Sequence, residues 1–152
     1  MKEQPTKPAT HFKVERKYHF YAAHRNQKLL DKCKNLHGHT YYVTITLLLA
    51  QSEETGCTML FGDIDKKIEP VIKMLDHGLL MDKNDPLLKY LQDYEKDYEK
   101  LKMTVLDDVT SVENLCVFVA DLIKTKAGLE IFEISIQETT SAIVSHMPNH
   151  LQ

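Results

Sequence analysis

Two histidines flank a single glycine where a β-strand is predicted to begin, and a third histidine ends the strand before it. His37 and His39 share the alternation of the apolar residues that follow them, so in an extended strand they lie on one face, roughly 6.5–7 Å apart. His24 has the matching alternation in the preceding strand. Three imidazoles that converge from two strands and leave a fourth position open are typical of a catalytic zinc site. Histidines at this spacing can also be packed or surface residues that bind nothing.

Cys33 lies four residues before His37, in the loop that leads into the second strand. A thiol beside a zinc ion or a protonated histidine would have a lowered pKa, which makes it a usable base or nucleophile. The alternative is an inert packed cysteine, a role that suits Cys57 and Cys116 better.

Two carboxylates could take part in the same chemistry. Asp76 precedes His77 directly after an apolar helical stripe, and the pair is either a helix-end cap or a carboxylate that orients an imidazole for proton transfer. Glu138 has the buried alternation of the last predicted strand. It either re-emerges into solvent at the strand end or needs a partner on the apolar side, for which the N–H donors of a ligand would serve.

Four strands are predicted to position these residues. Apolar side chains recur at every second residue over 12–24 and 37–50, which is the period of half-buried strands. Shorter strands are predicted at 103–106 and 131–139.

Three further stretches carry apolar residues at helical spacing. The first follows a candidate cap at Asp63, although Pro70 favours a kink or a later start. The second covers 85–101, and the third follows a capping-box spacing at 110–113 and stops at Gly128. Together these elements predict an α+β fold of mostly antiparallel strands with two or three helices on one face.

The composition is that of a single globular domain. Of the 152 residues, 43% are hydrophobic and 27% are charged, which excludes disordered, collagen-like and most multi-domain proteins. The formal net charge of −3 gives no electrostatic case for binding nucleic acid or a membrane surface. Residues 1–10 are predicted as a flexible tail before one domain spanning 11–152, whose end from residue 145 forms a shorter tail.

The expected location is the cytoplasm. The longest apolar run, 43–50, is far too short to cross a bilayer, and the polar N-terminal residues predict no secretory signal. Three cysteines, an odd number, favour a reducing compartment over a disulfide framework.

Several short motifs occur together in a specific order, namely FYAAH at 20–24, CKNLHGH at 33–39, LDH at 75–77, EN at 113–114 and ET at 138–139. Over about residues 12–144 the chain thereby resembles the 6-pyruvoyltetrahydropterin synthase / 6-carboxytetrahydropterin synthase family. The resemblance implies a tunnelling fold (T-fold), a four-stranded antiparallel sheet with helices on one face. It further implies that three subunits close a twelve-stranded barrel, that two trimers stack into a homohexamer, and that the active sites lie between subunits.

The resemblance also implies a role for each candidate residue. Zn²⁺ would be held by His24, His37 and His39. The catalytic set would be the thiol of Cys33, the proton-relay pair Asp76 and His77, and Glu138, which anchors the pterin ring. Thr110 and Ser111, which stand where the family has Pro-Thr, would help to hold the pterin through their backbone.

The implied activity is that of a lyase acting on 7,8-dihydroneopterin triphosphate. The favoured product is 6-carboxy-5,6,7,8-tetrahydropterin, formed with release of triphosphate and acetaldehyde in the queuosine (deazapurine) pathway. One alternative is 6-pyruvoyltetrahydropterin as the product, and another is a non-catalytic, zinc-stabilised pterin-binding protein. A zinc hydrolase unrelated to pterins is disfavoured, because the H-G-H element offers no carboxylate for a metal-bound water.

Overall fold

The computed structural model describes residues 9–149, which form one six-stranded sheet and three α-helices. The strands are β1 (His11–His24), β2 (His37–Ala50), β3 (Gly78–Asp82), β4 (Met103–Leu106), β5 (Glu133–Thr139) and β6 (Ala142–His146). Their order across the sheet is β4-β3-β1-β2-β5-β6. β1, β2, β5 and β6 are antiparallel neighbours, whereas β3 runs parallel to β1, and β4 runs parallel to β3.

The pairing of β1 with β2 sets the register of the candidate metal ligands. His24 lies directly opposite His37, and His39 lies opposite Ala22. The alternation predicted from the sequence is confirmed, since Phe20 and Tyr41 on this face are fully buried and their rings stack with centroids 4.9 Å apart. Burial of one face therefore fixes the register that brings the three histidines together.

Helices α1 (Phe61–Leu75) and α3 (Val112–Ala127) cover that face of the sheet. α1 begins at Phe61, before the predicted cap at Asp63, which instead lies in the first turn. Pro70 neither ends the helix nor delays its start. It lies on the exposed side, where the carbonyl that loses its helical partner can bind water.

Helix α3 begins one residue later than the predicted capping box implied. Ser111 is its N-cap, and the Ser111 hydroxyl accepts a hydrogen bond from Asn114 N at 3.3 Å. Thr110 is fully buried beneath this turn. Gly128 ends the helix at φ 65°, as predicted, because glycine adopts this left-handed conformation without steric strain.

Helix α2 (Pro86–Asp97) is attached mainly by its first turn. The Asp85 side chain caps it by accepting a hydrogen bond from Leu87 N at 2.8 Å. The helix ends at Asp97, before the predicted end at 101, and Leu88 is its one buried residue. Most of α2 therefore lies outside the core.

The flexible tail predicted at 1–10 falls largely on residues 1–8, which lie outside the described residues, as do residues 150–152. The shorter tail predicted from residue 145 is wrong at its start, because β6 continues to His146. None of the helices within residues 9–149 is long and apolar enough to span a bilayer.

Candidate active site

His24, His37 and His39 converge at one end of β1 and β2. Their ligand nitrogens all lie within 4.8 Å of one another, and the centroids of the His24 ring and the His37 ring are 4.6 Å apart. His24 is buried, while His37 and His39 are half-buried beside a cavity. The three side chains could hold a metal ion with one side of the site open.

The protonation of these histidines fits a metal site. His24 Nδ1 lies 2.8 Å from the carbonyl oxygen of Thr110, and His37 Nδ1 lies 2.7 Å from that of Asn35. Because a carbonyl only accepts, both contacts favour a proton on Nδ1, and the Nδ1–H tautomer leaves Nε2 as the nitrogen that can bind a metal. Burial lowers the pKa of His24, which favours the neutral imidazole that metals bind. The buried Nε2 of His24 makes no hydrogen bond, although a carboxylate oxygen of Glu138 lies 3.3 Å from it, and three imidazoles are a donor set that fits a zinc ion.

Glu138 faces the same nitrogens from β5. Its Oε1 lies 3.3 Å from His24 Nε2 and 3.6 Å from His39 Nε2, and it accepts a 3.4 Å hydrogen bond from the hydroxyl of Tyr41. Burial, together with the Glu138 carboxylate, raises the pKa of Tyr41, so this tyrosine stays protonated. Glu138 is half-buried and lines the cavity, which leaves its second oxygen available to a ligand.

The cavity in front of the histidines has a volume of about 710 Å³, which is ample for a small ligand. Its remaining walls come from the loop after β1, the first turn of α3 and the end of β5. The sequence predicted Cys33 and Ser111 here but missed the other lining residues, which are Asn26, Leu29, Lys32, Asn35, Val112, Glu113 and Thr139. Each of them lies within a few positions of a predicted site residue, and this closeness in sequence is the signal that could have identified them.

Cys33 lies in a short 3-10 turn (Lys32–Lys34) that Asp31 caps. The Asp31 carboxylate accepts a hydrogen bond from Cys33 N at 2.8 Å. Partial burial raises the pKa of the Cys33 thiol, and the Asp31 carboxylate raises it further. The lowered thiol pKa expected beside a zinc ion or a protonated histidine therefore stays a prediction, because the protein groups around Cys33 raise its pKa.

Asp76 and His77 form the turn after α1. The carboxylate of Asp76 accepts a 2.9 Å hydrogen bond from Tyr21 N, and its other oxygen lies 2.9 Å from His77 Nδ1. The Tyr21 N–H and His77 both lower the pKa of Asp76. Nδ1 of His77 is thereby directed at a carboxylate, which leaves Nε2 able to exchange a proton.

A single chain does not bring His77 into the cavity of Cys33. The ring of His77 contacts Tyr21, with centroids 5.5 Å apart, and Tyr21 lies on the sheet face opposite to His24. His77 lines a separate cleft of about 420 Å³, with Gly38 and His39 at its other side. The predicted relay pair and the predicted thiol therefore lie on different faces of the sheet.

Thr110 does not line the cavity, contrary to the expectation of a pterin contact for both residues of its pair. It is fully buried behind His24. Ser111, the next residue, does reach the cavity wall.

Comparison with known proteins shows which proteins this chain is similar to. The model of the family described as 6-pyruvoyl tetrahydropterin synthase matches residues 13–149. The chain belongs to this family. The predicted family and T-fold are thus confirmed, and the named members are synthases that process pterins.

Relatives of the pterin synthase family carry two different activity names. A 6-carboxy-5,6,7,8-tetrahydropterin synthase from Aquifex aeolicus is 28% identical over 123 residues, which are 76% of this chain and 76% of that protein. A 6-pyruvoyl tetrahydrobiopterin synthase from Poecilia reticulata is 33% identical over 123 residues, covering 78% of this chain and 71% of that protein. The 6-pyruvoyl tetrahydropterin synthase structure from Caenorhabditis elegans superposes with a TM-score of 0.68 at 23% identity, covering 93% of this chain and 99% of that one.

Proposed function

We propose that this protein is a zinc-dependent lyase that converts 7,8-dihydroneopterin triphosphate to 6-carboxy-5,6,7,8-tetrahydropterin, releasing triphosphate and acetaldehyde. The observation that carries the proposal is the composition of one cavity wall. Three imidazoles, a thiol and a carboxylate face the same space, which is large enough for a pterin. Membership of the pterin synthase family supports the substrate class.

His24, His37 and His39 would hold the zinc ion. A zinc ion there supplies Lewis acidity to the hydroxyls of the substrate side chain and positive charge that lowers the pKa of a nearby thiol. The Cys33 thiolate then takes a proton from the carbon beside a hydroxyl. Loss of the triphosphate by elimination follows from that deprotonation. One water molecule is then consumed as the bond between the first and second side-chain carbons breaks, so that the outer two carbons leave as acetaldehyde and the first carbon becomes the carboxyl group.

Asp76 and His77 would serve the cavity of a neighbouring copy. Within one chain the ring of His77 contacts Tyr21 on the face opposite to His24, which supports a second chain as the source of the His77 Nε2 that meets the substrate of this one. There the imidazole returns a proton to the side chain, while Asp76 holds Nδ1. A homohexamer built as a dimer of trimers would supply such shared sites, with the four antiparallel strands β1, β2, β5 and β6 of each of three chains closing one twelve-stranded barrel.

Glu138 and the first turn of α3 would bind the pterin ring. The half-buried Glu138 carboxylate accepts hydrogen bonds from ring N–H groups, and Ser111 presents its backbone at the wall of the same cavity. The three free cysteines suit a reducing cytoplasm.

The test is incubation of the zinc-loaded protein with 7,8-dihydroneopterin triphosphate, followed by product analysis. We expect equal amounts of triphosphate, acetaldehyde and 6-carboxytetrahydropterin. The relatives named for the pyruvoyl reaction favour a second candidate, which would give triphosphate and 6-pyruvoyltetrahydropterin without acetaldehyde. Tight pterin binding with no triphosphate release would contradict both and leave a zinc-stabilised binding protein.

The ligand assignment has its own test. His37→Ala should lose both zinc and turnover, because two imidazoles hold zinc far more weakly than three. His19→Ala is a matched control, since His19 lies on β1 but on the opposite face from His24. Stoichiometric zinc and full activity in His37→Ala would overturn the assignment.

A further inference from the structure

We propose that Thr110 is a positioning residue for the metal ligand His24. This inference rests on the proposed zinc site, but it concerns a residue that touches neither the ion nor the cavity. Thr110 is fully buried, and His24 beside it is 5% exposed. Thr110 contacts Nδ1 of the His24 ring, whereas Nε2 of His24 lies beside the Glu138 oxygen that is also near His39 Nε2.

The carbonyl of Thr110 fixes which nitrogen of His24 can bind metal. It lies 2.8 Å from Nδ1, and because it can only accept, the Nδ1–H tautomer is the one it stabilises. Nε2 then carries its lone pair towards the other two imidazoles. A histidine held in the opposite tautomer would present an N–H to the ion and could not ligate it.

The hydroxyl of Thr110 holds the main chain next to the same histidine. Oγ1 donates a 3.0 Å hydrogen bond to the carbonyl of Arg25, the residue directly after His24, and lies 3.2 Å from His24 Nδ1. One threonine therefore contacts both the ring of His24 and the main chain of the residue that follows it. A change that removes only the hydroxyl leaves the carbonyl free to move relative to the ring.

Arg25 is itself anchored, which makes this hydrogen bond a rigid connection. Its guanidinium forms two hydrogen bonds to the carboxylate of Asp85, at 2.7 and 2.6 Å. Asp85 is 3% exposed and caps α2. Because the carboxylate of Asp85 holds Arg25 in place, a small shift of Arg25 cannot compensate for loss of the Thr110 hydroxyl.

The experiment compares zinc affinity, measured by competition with a chromophoric chelator, in three purified variants. Thr110→Val removes the hydroxyl at constant shape, and we expect zinc to bind about 10–100-fold more weakly. Thr110→Ser keeps the hydroxyl and should restore affinity to near the wild-type value. Thr46→Val is the control, because Thr46 is also buried but lies away from the site on β2, and its affinity should not change.

Two results would overturn the proposal. One is wild-type zinc affinity in Thr110→Val, and the other is an equal loss in Thr110→Val and Thr110→Ser. Failure of the wild-type protein itself to bind zinc would instead overturn the proposed function.

A second measurement needs neither zinc nor a variant that folds. Nitrogen-15 NMR of the zinc-stripped wild-type protein, recorded at a pH at which the imidazoles are neutral, reports which nitrogen of His24 carries the proton. We expect Nδ1–H. The Nε2–H tautomer would contradict the positioning role of Thr110, whatever the zinc affinity.

Discussion

Cys33 and Glu138 line one cavity, yet they should act on different parts of the substrate. Cys33→Ala should bind the pterin almost normally and lose turnover by roughly 10²–10⁴-fold, the range for a missing general base. Glu138→Ala should mainly weaken binding, because ring N–H donors would lose a charged acceptor that contributes about 1.5–3 kcal/mol. Calorimetric Kd values beside single-turnover rates separate the two effects.

Zinc content should be unchanged in both variants. Glu133→Ala is a suitable control, since Glu133 lies on β5 but outside the cavity lining. Turnover of Cys33→Ala at the wild-type rate, or undiminished binding by Glu138→Ala, would show that these residues have been given the wrong roles.

The thiol of Cys33 should titrate at higher pH than a free cysteine when zinc is absent. Partial burial and the Asp31 carboxylate both raise its pKa, so less thiolate is present at a given pH and alkylation is slower. Asp31→Asn keeps an oxygen for the Cys33 N–H but removes the charge, and should shift the alkylation profile to lower pH. The measurement is the iodoacetamide rate against pH in a Cys57→Ser background.

Cys116 does not interfere with that measurement, because burial raises its pKa to about 11. Superimposable profiles for wild type and Asp31→Asn would contradict the electrostatic role of Asp31. Zinc addition should lower the inflection of either protein.

At the scale of single residues, the sequence predicted which strand side chains lie on the same face of the sheet. His24, His37, His39 and Glu138 could be placed on one face because successive strand residues alternate between faces. The face occupied by His77 could not be predicted, since it depends on a turn in which His77 has φ 55°. The burial of Thr110 likewise depends on where α3 begins, which a capping pattern fixes only to within a residue or two.

Among the secondary-structure elements, the junction between α1 and β3 is the one that the sequence pattern predicts least. This junction nevertheless determines where His77 lies. The ammonium of Lys102 donates to the carbonyls of Lys73 and Asp76 at 2.7 and 2.5 Å, and its own carbonyl accepts from Leu79 N at 2.9 Å. This lysine therefore holds the end of the helix and the turn that carries His77.

Lys102→Met should lower the unfolding free energy by about 1 kcal/mol, because charged donors near a helix C-terminus are lost. It should also reduce kcat with little change in KM or zinc affinity. Lys126→Met, at an exposed lysine near the end of α3, is the matched control. Chemical denaturation and steady-state kinetics check both effects, and wild-type kcat in Lys102→Met would show that the turn needs no such anchor.

The elements that the sequence missed are short. β3 and β6 have five residues each, which is too few for alternation to be recognised, and β3 is buried on most of its length, so it resembles the apolar end of a helix. The N-cap of α1 is Leu60, whose side chain makes no capping hydrogen bond, so no residue type marks the start of the helix at Phe61. Long elements with one buried face, by contrast, were predicted to within a few residues.

At the scale of the whole molecule, an active site built from two chains requires the protein to be an oligomer of defined mass. Light scattering should give a mass six times the 17.6 kDa of one chain if the protein is the proposed homohexamer. The outer strand β6 leaves a backbone edge of the sheet unpaired within one chain and carries the exposed apolar side chain of Ile143, and such an edge can pair with a strand of another chain. A fully active monomer would contradict the shared site.

Mixing two inactive variants is a sharper test of the same assembly. Cys33→Ala and His77→Ala, unfolded and refolded together, should regain up to about a quarter of wild-type activity if each site combines one residue from each of two chains. Either variant refolded alone is the control and should stay inactive. No recovery in mixed oligomers of verified composition would place both residues in one chain's site.

The backbone of His77 carries a further consequence, which concerns evolution. Among residues 9–149 it is the one non-glycine residue with positive φ, a conformation that costs a side-chain-bearing residue about 1–2 kcal/mol. Selection for stability alone would replace it with glycine or asparagine. Descendants of this chain that lose catalysis should therefore drift towards those residues at position 77 while their core persists, and an alignment of the lineage would reveal when the chemistry was abandoned.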